Sequence, residues 1–471
     1  MSKVETKSET EILKEKLFLN RKNGALKITD TEIAHADEFC EDYKTFLNEA
    51  KTEREAVDYS IKLAKEYGFE EFDLDKKYKP GDKIYYVNRN KSVIFSIIGK
   101  KGTKEGIKIT VAHIDSPRLD LKPNPLYEQN ELALFKTHYY GGIKKYQWTA
   151  IPLALHGKII KKNGEFVNVK LGETDDEPHF CVTDLLPHLA KEQMTKTLQK
   201  AIAGEDLNIL VGSRPFRDNK ASELVKLNIM KLLNEKYDII EDDFISAELE
   251  LVPSYKAVDI GFDKSMIGSY GHDDRVCAYP ILMSILTFSE IPEHTIMTIL
   301  ADKEETGSDG NTGMNSAFFR YFIADLSAND NQEYRHVLTK SECLSADVNA
   351  AFDPTYSSVY DASNSCFINN GVVITKYTGS GGKGGTSDAS AEFMAKVRSI
   401  LEKDEILWQT GELGKVDAGG GGTIAKYMAN LNVDVVDLGV PVLSMHAPFE
   451  VVSKIDIYMA YKAALAFFRS E

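Results

Sequence analysis

The stretch Ile296-Met-Thr-Ile-Leu-Ala-Asp-Lys-Glu-Glu-Thr-Gly307 joins an apolar run of strand length to a charged segment that closes at a glycine. An uninterrupted apolar run is typical of a strand buried on both faces of a parallel sheet. The charged segment places two adjacent carboxylates, Glu304 and Glu305, at the carboxyl end of that strand. Open α/β sheets bind their ligands at this edge, so the stretch predicts an α/β fold with a site beside Glu304.

Adjacent carboxylates repel each other unless a cation lies between them or one of them takes a proton. A bound divalent ion would remove the conflict, because one carboxylate could ligate it while the other acts on metal-bound water. The simpler interpretation is a solvated acidic turn, since most Glu side chains lie at the surface. The rest of the chain decides between these two interpretations.

The composition limits the classes of protein that the chain can represent. Its 471 residues predict two or three domains. The net charge of −15 argues against nucleic acid as a partner, because phosphate binding needs a basic surface. No secretory signal or membrane-length apolar run is apparent, and five scattered cysteines without a CxxC pair are typical of a reducing compartment. We therefore expect a cytoplasmic protein that binds no membrane.

A second strand-like run, 107–112, leads into His113-Ile-Asp115. Residues two apart on an extended chain point to the same side. A histidine that ligates a metal commonly has its second nitrogen held by a carboxylate, and Asp115 could instead orient the ligand set. Asp at a strand end is also a frequent turn former.

Three more polar positions follow apolar runs or begin helices. Asp273 precedes an apolar helical run, where a capping role is the alternative because helix N-termini favour acidic residues. Asp347 and His446 stand where strand-like segments would end. Two histidines and three carboxylates form a ligand set for two divalent ions of the zinc type, one carboxylate bridging; the candidates are His113, Asp273, Glu305, Asp347 and His446.

This set leaves Glu304 free to handle protons. Two ions can hold a bridging hydroxide and polarise a carbonyl, and Glu304 would take the proton of the metal-bridged water and pass it to the leaving amine. The glycine runs 379–385 and 419–422 offer a competing interpretation as phosphate loops. The first run fits GxGxxG only weakly, and neither contains GxxxxGK[ST], so glycine here more simply allows close backbone approach.

Short strand-like runs dominate between residues 120 and 256, and ligand-type motifs resume at Gly271. This pattern predicts a β-rich unit inserted into the first domain. We assign residues 1–119 and 257–471 to the catalytic domain and residues 120–256 to the insertion. Helical segments are predicted inside the insertion around 191–203 and 221–233.

The motifs His113-x-Asp115-Ser-Pro, Asp273-Asp-Arg, Asp302-x-Glu304-Glu305-x-Gly, Ser345-Ala-Asp347 and Ser444-Met-His446 occur in an order that resembles the aspartyl aminopeptidase family of metallopeptidases. The resemblance covers nearly the whole chain. It implies a zinc-peptidase α/β/α sandwich with an inserted β-rich dimerisation domain, peptide substrates, and a homo-oligomer, usually a dodecamer built from dimers. It also implies two Zn²⁺ per chain, with Co²⁺ or Mn²⁺ as substitutes.

The resemblance also implies roles for individual residues. Asp273 would bridge the two ions, Glu304 would be the general base and Asp115 would orient the site. The remaining ligands divide into two pairs, one per ion: His113 with Asp347, and Glu305 with His446.

Two further residues would meet the substrate. The segment Leu186-Pro-His188-Leu-Ala190 resembles the one whose histidine reaches a neighbouring subunit's active site. Where the family has Gln-Arg-Tyr, this chain has Gly381-Gly-Lys383-Gly-Gly385, and Lys383 is the candidate cation for an acidic side chain. The departure leaves acidic and neutral or apolar N-terminal residues as equal expectations.

Two other functions remain as alternatives. A related metal-dependent carboxypeptidase or amidohydrolase would need a cationic group for a substrate carboxylate. A non-catalytic metal-binding scaffold would not need an unligated base such as Glu304, and structural zinc sites favour closed cysteine-rich tetrahedra.

Overall fold

The computed structural model describes residues 7–19, 23–218 and 220–471. The α-helices among them are α1 (Glu9–Leu17), α2 (Asp30–Glu49), α3 (Glu53–Glu66), α4 (Leu198–Ala201), α5 (Leu224–Tyr237), α6 (His272–Leu286), α7 (Phe318–Ala328), α8 (Tyr334–Thr339), α9 (Ala391–Lys403), α10 (Ala425–Ala429) and α11 (Lys454–Arg469). No helix in these described ranges is both long and apolar enough to cross a membrane.

The strands divide into three sheets. In chain order they are β1 (Glu70–Glu71), β2 (Lys83–Asn88), β3 (Ser92–Ile97), β4 (Ile107–His113), β5 (Arg118–Gln129), β6 (Leu132–Tyr140), β7 (Leu153–Ile160), β8 (Phe166–Leu171), β9 (Cys181–Val182), β10 (Ile209–Gly212), β11 (Ala247–Pro253), β12 (Val258–Ile260), β13 (Met266–Ser269), β14 (Thr295–Ala301), β15 (Glu342–Ser345), β16 (Asn349–Ala350), β17 (Val372–Thr375), β18 (Trp408–Thr410), β19 (Asp434–Gly439), β20 (Pro441–Leu443) and β21 (Glu450–Ser453).

The largest sheet has the order β1-β2-β3-β14-β4-β15-β19-β17-β18. Its centre is parallel: β4 pairs with β14 on one side and β15 on the other, and β15 pairs with β19. Every residue of β4 and β14 is buried, as the apolar run of the opening stretch predicts. The carboxyl ends of these strands therefore meet at one edge, where parallel sheets place their ligands.

Helices cover both faces of this sheet. One apolar core joins it to α2, α3, α6, α9 and α11, and a second core on the other face joins it to α7, α8 and α10. The sheet thus lies between two helical layers, which confirms the α/β/α sandwich. Helix α2 begins at a capping box formed by Thr29 and Glu32.

The second sheet, of order β8-β7-β11-β5-β6-β10-β9, is formed by residues between Arg118 and Pro253 and has its own apolar core. The predicted domain boundaries stay a prediction. The prediction of a helix around 191–203 is wrong in its length, because the only α-helix described there is the short α4. Met194 and Leu198 are exposed, so the segment buries too little apolar surface to stabilise a longer helix.

The third sheet has the order β12-β13-β21-β20-β16. Strand β13 runs antiparallel to β21, and β21 runs antiparallel to β20. Asp273 follows β13 by a few residues, and His446 lies between β20 and β21. This small sheet therefore brings two distant candidate ligands to the edge of the large sheet.

Candidate metal centre

Asp273 lies at the middle of the site, with a histidine on each side. Its Oδ1 is 3.1 Å from Nε2 of His113, and its Oδ2 is 3.1 Å from Nε2 of His446. Asp273 is almost fully buried at the start of α6, and its peptide bond to Asp274 is cis. One carboxylate that offers a different oxygen to each histidine is the arrangement expected of a ligand bridging two ions.

Both histidines have their other nitrogen fixed by a backbone carbonyl. His113 Nδ1 donates to the carbonyl of Asp115 at 3.0 Å, and His446 Nδ1 donates to that of Gly142 at 2.8 Å. A neutral imidazole with its proton on Nδ1 has a lone pair on Nε2. In each case that lone pair faces an oxygen of Asp273, which is favourable only with a metal ion or a proton between them, so these donors fit metal ions.

The other two carboxylates complete the same groups. Asp347 Oδ1 is 4.0 Å from His113 Nε2, and Glu305 Oε2 is 3.6 Å from His446 Nε2. Glu305 Oε1 is buried without a hydrogen-bond partner. A buried polar atom without a partner destabilises the fold unless an ion binds it. Nitrogen and carboxylate donors of this number suit zinc.

Asp274, next to Asp273, is a residue to which the sequence motifs give no role at the site. Its side chain is fully buried, and its Oδ2 accepts a hydrogen bond from the backbone N–H of His113 at 3.3 Å. Asp273, Asp274 and Asp347 bring oxygens within 4.8 Å of one another. Asp274 therefore supports the main chain of His113.

Glu304 lies in the same group of side chains without a fixed partner. Its Oε2 is 3.7 Å from His113 Nε2. Burial raises the pKa of Glu304 to about 7, and the negative charges of Asp115 and Asp273 act in the same direction against the effect of the histidines. Burial and the neighbouring Asp273 also raise the pKa of Glu305 well above its usual range. Positive charge at this site would therefore be strongly favoured.

Asp115 binds the turn that carries the two glutamates. Its Oδ1 accepts from the backbone N–H of Glu304 at 3.1 Å, and its Oδ2 accepts from that of Glu305 at 3.2 Å. Asp115 is completely buried. The carboxylate two residues after His113 thus fixes the main chain of Glu304 and Glu305.

The second sheet also contributes to the site, which the sequence analysis missed. Tyr140, at the end of β6, donates its hydroxyl to Asp115 Oδ2 at 2.7 Å. Two residues later, Gly142 holds His446 through its carbonyl, and a Cβ on Gly142 would lie 3.3 Å from His446 Nδ1. The segment Tyr139-Tyr-Gly-Gly142 contains no residue of a metal-ligating type, so no pattern in the sequence indicated that it reaches the site.

A cavity of about 400 Å³ opens beside these side chains. Its described lining contains the acidic residues of the site and the second glycine run, but neither Lys nor Arg. Lys383 lies outside it, where Nζ is 2.8 Å from Asp388 and 3.7 Å from the ring centroid of Tyr377. His188 lies in an exposed turn, and its segment contributes nothing to the described lining.

Comparisons with known proteins show the family to which the chain belongs. Residues 46–468 match the model of the family described as aminopeptidase I zinc metalloprotease, M18. The chain belongs to this family of zinc-dependent aminopeptidases, which are peptide hydrolases. It is 50% identical over 459 residues to a probable M18 family aminopeptidase 1 of Clostridium acetobutylicum, covering 96% of this chain and 98% of the relative.

Two solved structures share the fold over nearly their whole length. The crystal structure of an M18-family aminopeptidase from Thermotoga maritima has a TM-score of 0.91 and 42% identity, covering 96% of this chain and all of that one. That of aminopeptidase I from Clostridium acetobutylicum has a TM-score of 0.90 and 46% identity, with the same coverage. These similarities confirm the α/β peptidase fold and the resemblance found in the motifs.

Proposed function

We propose that the protein is a binuclear zinc aminopeptidase with Asp273 as the ligand shared by both ions. The observation that carries the proposal is the placement of two histidine Nε2 atoms against the two oxygens of Asp273. His113 and Asp347 would hold one ion, and Glu305 and His446 the other. When bound, the ions would polarise the scissile carbonyl and make water a better nucleophile near neutral pH.

Glu304 is the proposed general base. It is half-buried beside the ligands, faces the cavity and has no hydrogen bond from its side chain to other described residues. It would take a proton from the attacking water and deliver it to the leaving amine. Asp115 would hold Glu304 in position through its backbone N–H, with Tyr140 fixing Asp115 in turn.

The acidic lining of the cavity suits the positively charged N-terminus of a peptide. We propose that the enzyme accepts substrates whose N-terminal residue has a neutral or apolar side chain as well as those with an acidic one. Lys383 could meet an acidic side chain only by leaving Asp388, so it gives no ready preference. If Lys383 does meet an acidic side chain, Lys383→Met should lower kcat/KM for an N-terminal Glu while leaving that for Leu unchanged; equal values for Glu in both proteins would remove Lys383 from the site.

We also propose a homo-oligomer, with dimers joined into a dodecamer and His188 reaching a neighbouring subunit. The segment around His188 exposes apolar side chains, among them Leu186 and Leu189, which are 48% and 67% exposed. Burial of such groups against a second copy would be favourable. Sedimentation at catalytic concentration tests the assembly, and His188→Ala should lower kcat without releasing zinc; a fully active monomer would contradict both.

The experiment that tests the proposed activity compares two substrates. An aminoacyl-p-nitroanilide offers a free α-amine, whereas an N-acylated amino acid offers only a carboxylate and an internal amide. We expect hydrolysis of the first, its loss on chelation and its recovery with Zn²⁺, Co²⁺ or Mn²⁺. Hydrolysis of the N-acylated compound alone would favour the carboxypeptidase or amidohydrolase alternative.

A further inference from the structure

Glu450 binds the main chain of two proposed metal ligands at once. Its Oε2 accepts from the backbone N–H of Asp273 at 3.1 Å, and its Oε1 accepts from that of His446 at 2.8 Å. The side chain is only 1% exposed. Both amides are therefore satisfied inside the protein by one carboxylate, and water cannot readily replace it.

The third sheet explains why Glu450 reaches both ligands. Glu450 is the first residue of β21 and pairs with Ser269, the last residue of β13, in the strand that leads towards Asp273. On its other side β21 pairs with β20, which leads into the turn that carries His446. Glu450, at the start of β21, is thus placed to link the segment that carries Asp273 with the turn that carries His446.

Glu450 repeats on one side of the site what Asp115 does on the other. Asp115 is also a buried carboxylate, and its two oxygens accept from the backbone N–H groups of Glu304 and Glu305. The sequence motifs single out Asp115 and give Glu450 no role. The two arrangements together fix four of the residues that surround the ions.

We propose that Glu450 is a positioning residue that fixes the separation of Asp273 and His446 and thereby sets the affinity for the ion held by His446. This inference rests on the proposed binuclear site. Groups that orient metal ligands typically change metal affinity or activity by about 10- to 100-fold when they are replaced. Glu450 is not among the proposed ligands, and each of its oxygens accepts a hydrogen bond from a main-chain amide.

Glu450→Gln is the most direct variant. It keeps the shape of the side chain, but its NH₂ group must face one of the two N–H donors, so one of the two main-chain bonds is lost. We expect zinc at the His446 position to be released to a chelator at least about 10-fold more readily than in the wild-type enzyme. The absorption spectrum of the Co²⁺-loaded enzyme should change as well, since the ligand geometry changes.

Asp456 provides a matched control. It is completely buried, and its two oxygens accept from the backbone N–H groups of Gly371 and Asn369 at 2.7 and 2.8 Å. Neither of these residues is a proposed ligand. Asp456→Asn therefore disrupts the same kind of paired hydrogen bonds from two main-chain amides to one carboxylate, elsewhere in the core. It should lower stability without changing zinc release or the Co²⁺ spectrum.

The experiment titrates the zinc-loaded enzyme and both variants with a chelator of known affinity. Weaker retention of one ion in Glu450→Gln but not in Asp456→Asn supports the inference. Unchanged retention and spectrum in Glu450→Gln, or equal loss in both variants, overturns it. If Glu450→Gln does not fold, Glu450→Asp, whose shorter side chain reaches only one amide, is titrated with the same criteria. Fewer than two ions in the wild-type enzyme would instead contradict the binuclear site.

Discussion

His113 and His446 face opposite oxygens of a single carboxylate, that of Asp273, each at 3.1 Å. The two histidines come from different sheets, His113 from the end of a strand in the large parallel sheet and His446 from a turn of the small third sheet. Their Nδ1 atoms both donate to backbone carbonyls. The site is therefore assembled around Asp273.

Asp273→Ala should abolish the binding of both ions, because it removes the one ligand that they share. The zinc content of the purified variant, measured by elemental analysis, should fall from two ions per chain towards none. Circular dichroism should show that the fold persists. Two ions per chain in this variant would contradict the bridging role.

Glu304→Gln should keep both ions and lose about 10²- to 10⁴-fold in kcat, the contribution expected of a general base. Glu305→Gln is the matched variant one residue later, and it should lose zinc because Glu305 is a proposed ligand. Zinc content and kcat measured together on both variants separate the two roles. Near wild-type turnover in Glu304→Gln would show that another group takes the proton.

Tyr140→Phe should lower kcat about 10-fold, since it removes the hydroxyl that fixes Asp115 and so loosens the turn of Glu304. Tyr139→Phe is the control, because Tyr139 is exposed and its hydroxyl makes no bond to the site among the described residues. Steady-state kinetics on a peptide substrate measure the difference. Equal activity of both variants would mean that the second sheet does not support catalysis through Tyr140.

His156, inside the second sheet, predicts a pH-dependent stability. Its ring donates to Glu55 at 2.8 Å and to Glu173 at 2.9 Å. Burial opposes the charge on His156, but its hydrogen bonds to the two glutamates outweigh burial and raise its pKa. Burial likewise opposes ionisation of Glu173, but His156 and Lys51 outweigh it and lower the pKa of Glu173 to about 2.

The raised pKa of His156 gives stability that is complete below its unfolded value of about 6.5 and is lost as pH rises through the folded value. The lowered pKa of Glu173 gives stability that is complete above about 4.5 and is lost as pH falls towards 2. His156→Gln should therefore cost most between about pH 4.5 and 6.5, on the order of 3 kcal/mol.

Urea unfolding of wild type and variant across pH 4 to 9 gives this difference directly. His138→Gln, an exposed histidine of the same sheet, is the control and should change little at any pH. A cost of His156→Gln that does not vary with pH would show that folding leaves the pKa of His156 unchanged, and a cost that falls as pH drops below about 6.5 would show that the imidazole is buried uncharged.

The sequence predicted the parts of the site that depend on local pattern. His113, Glu304, Glu305 and Asp347 each follow an apolar run, and parallel strands with buried faces must bring such ends to one edge. The structure places them there with Asp273 and His446, while the ligand roles of the other five residues and the role of Glu304 as general base stay predictions. The cytoplasmic location also stays a prediction.

Other parts depend on contacts that no local pattern records. Tyr140 and Gly142 reach the site because the second sheet docks against the large one, and Glu450 does so through the register of β21. The helix predicted around 191–203 failed for a related reason, since helical spacing without a surface to bury does not stabilise a helix.

The most direct test of the account is anomalous diffraction at the zinc absorption edge from crystals of the zinc-loaded enzyme. We expect two peaks within ligand distance of Asp273, one also in contact with His113 and Asp347 and the other with His446 and Glu305. A single peak, or a pair that does not share Asp273, would contradict it.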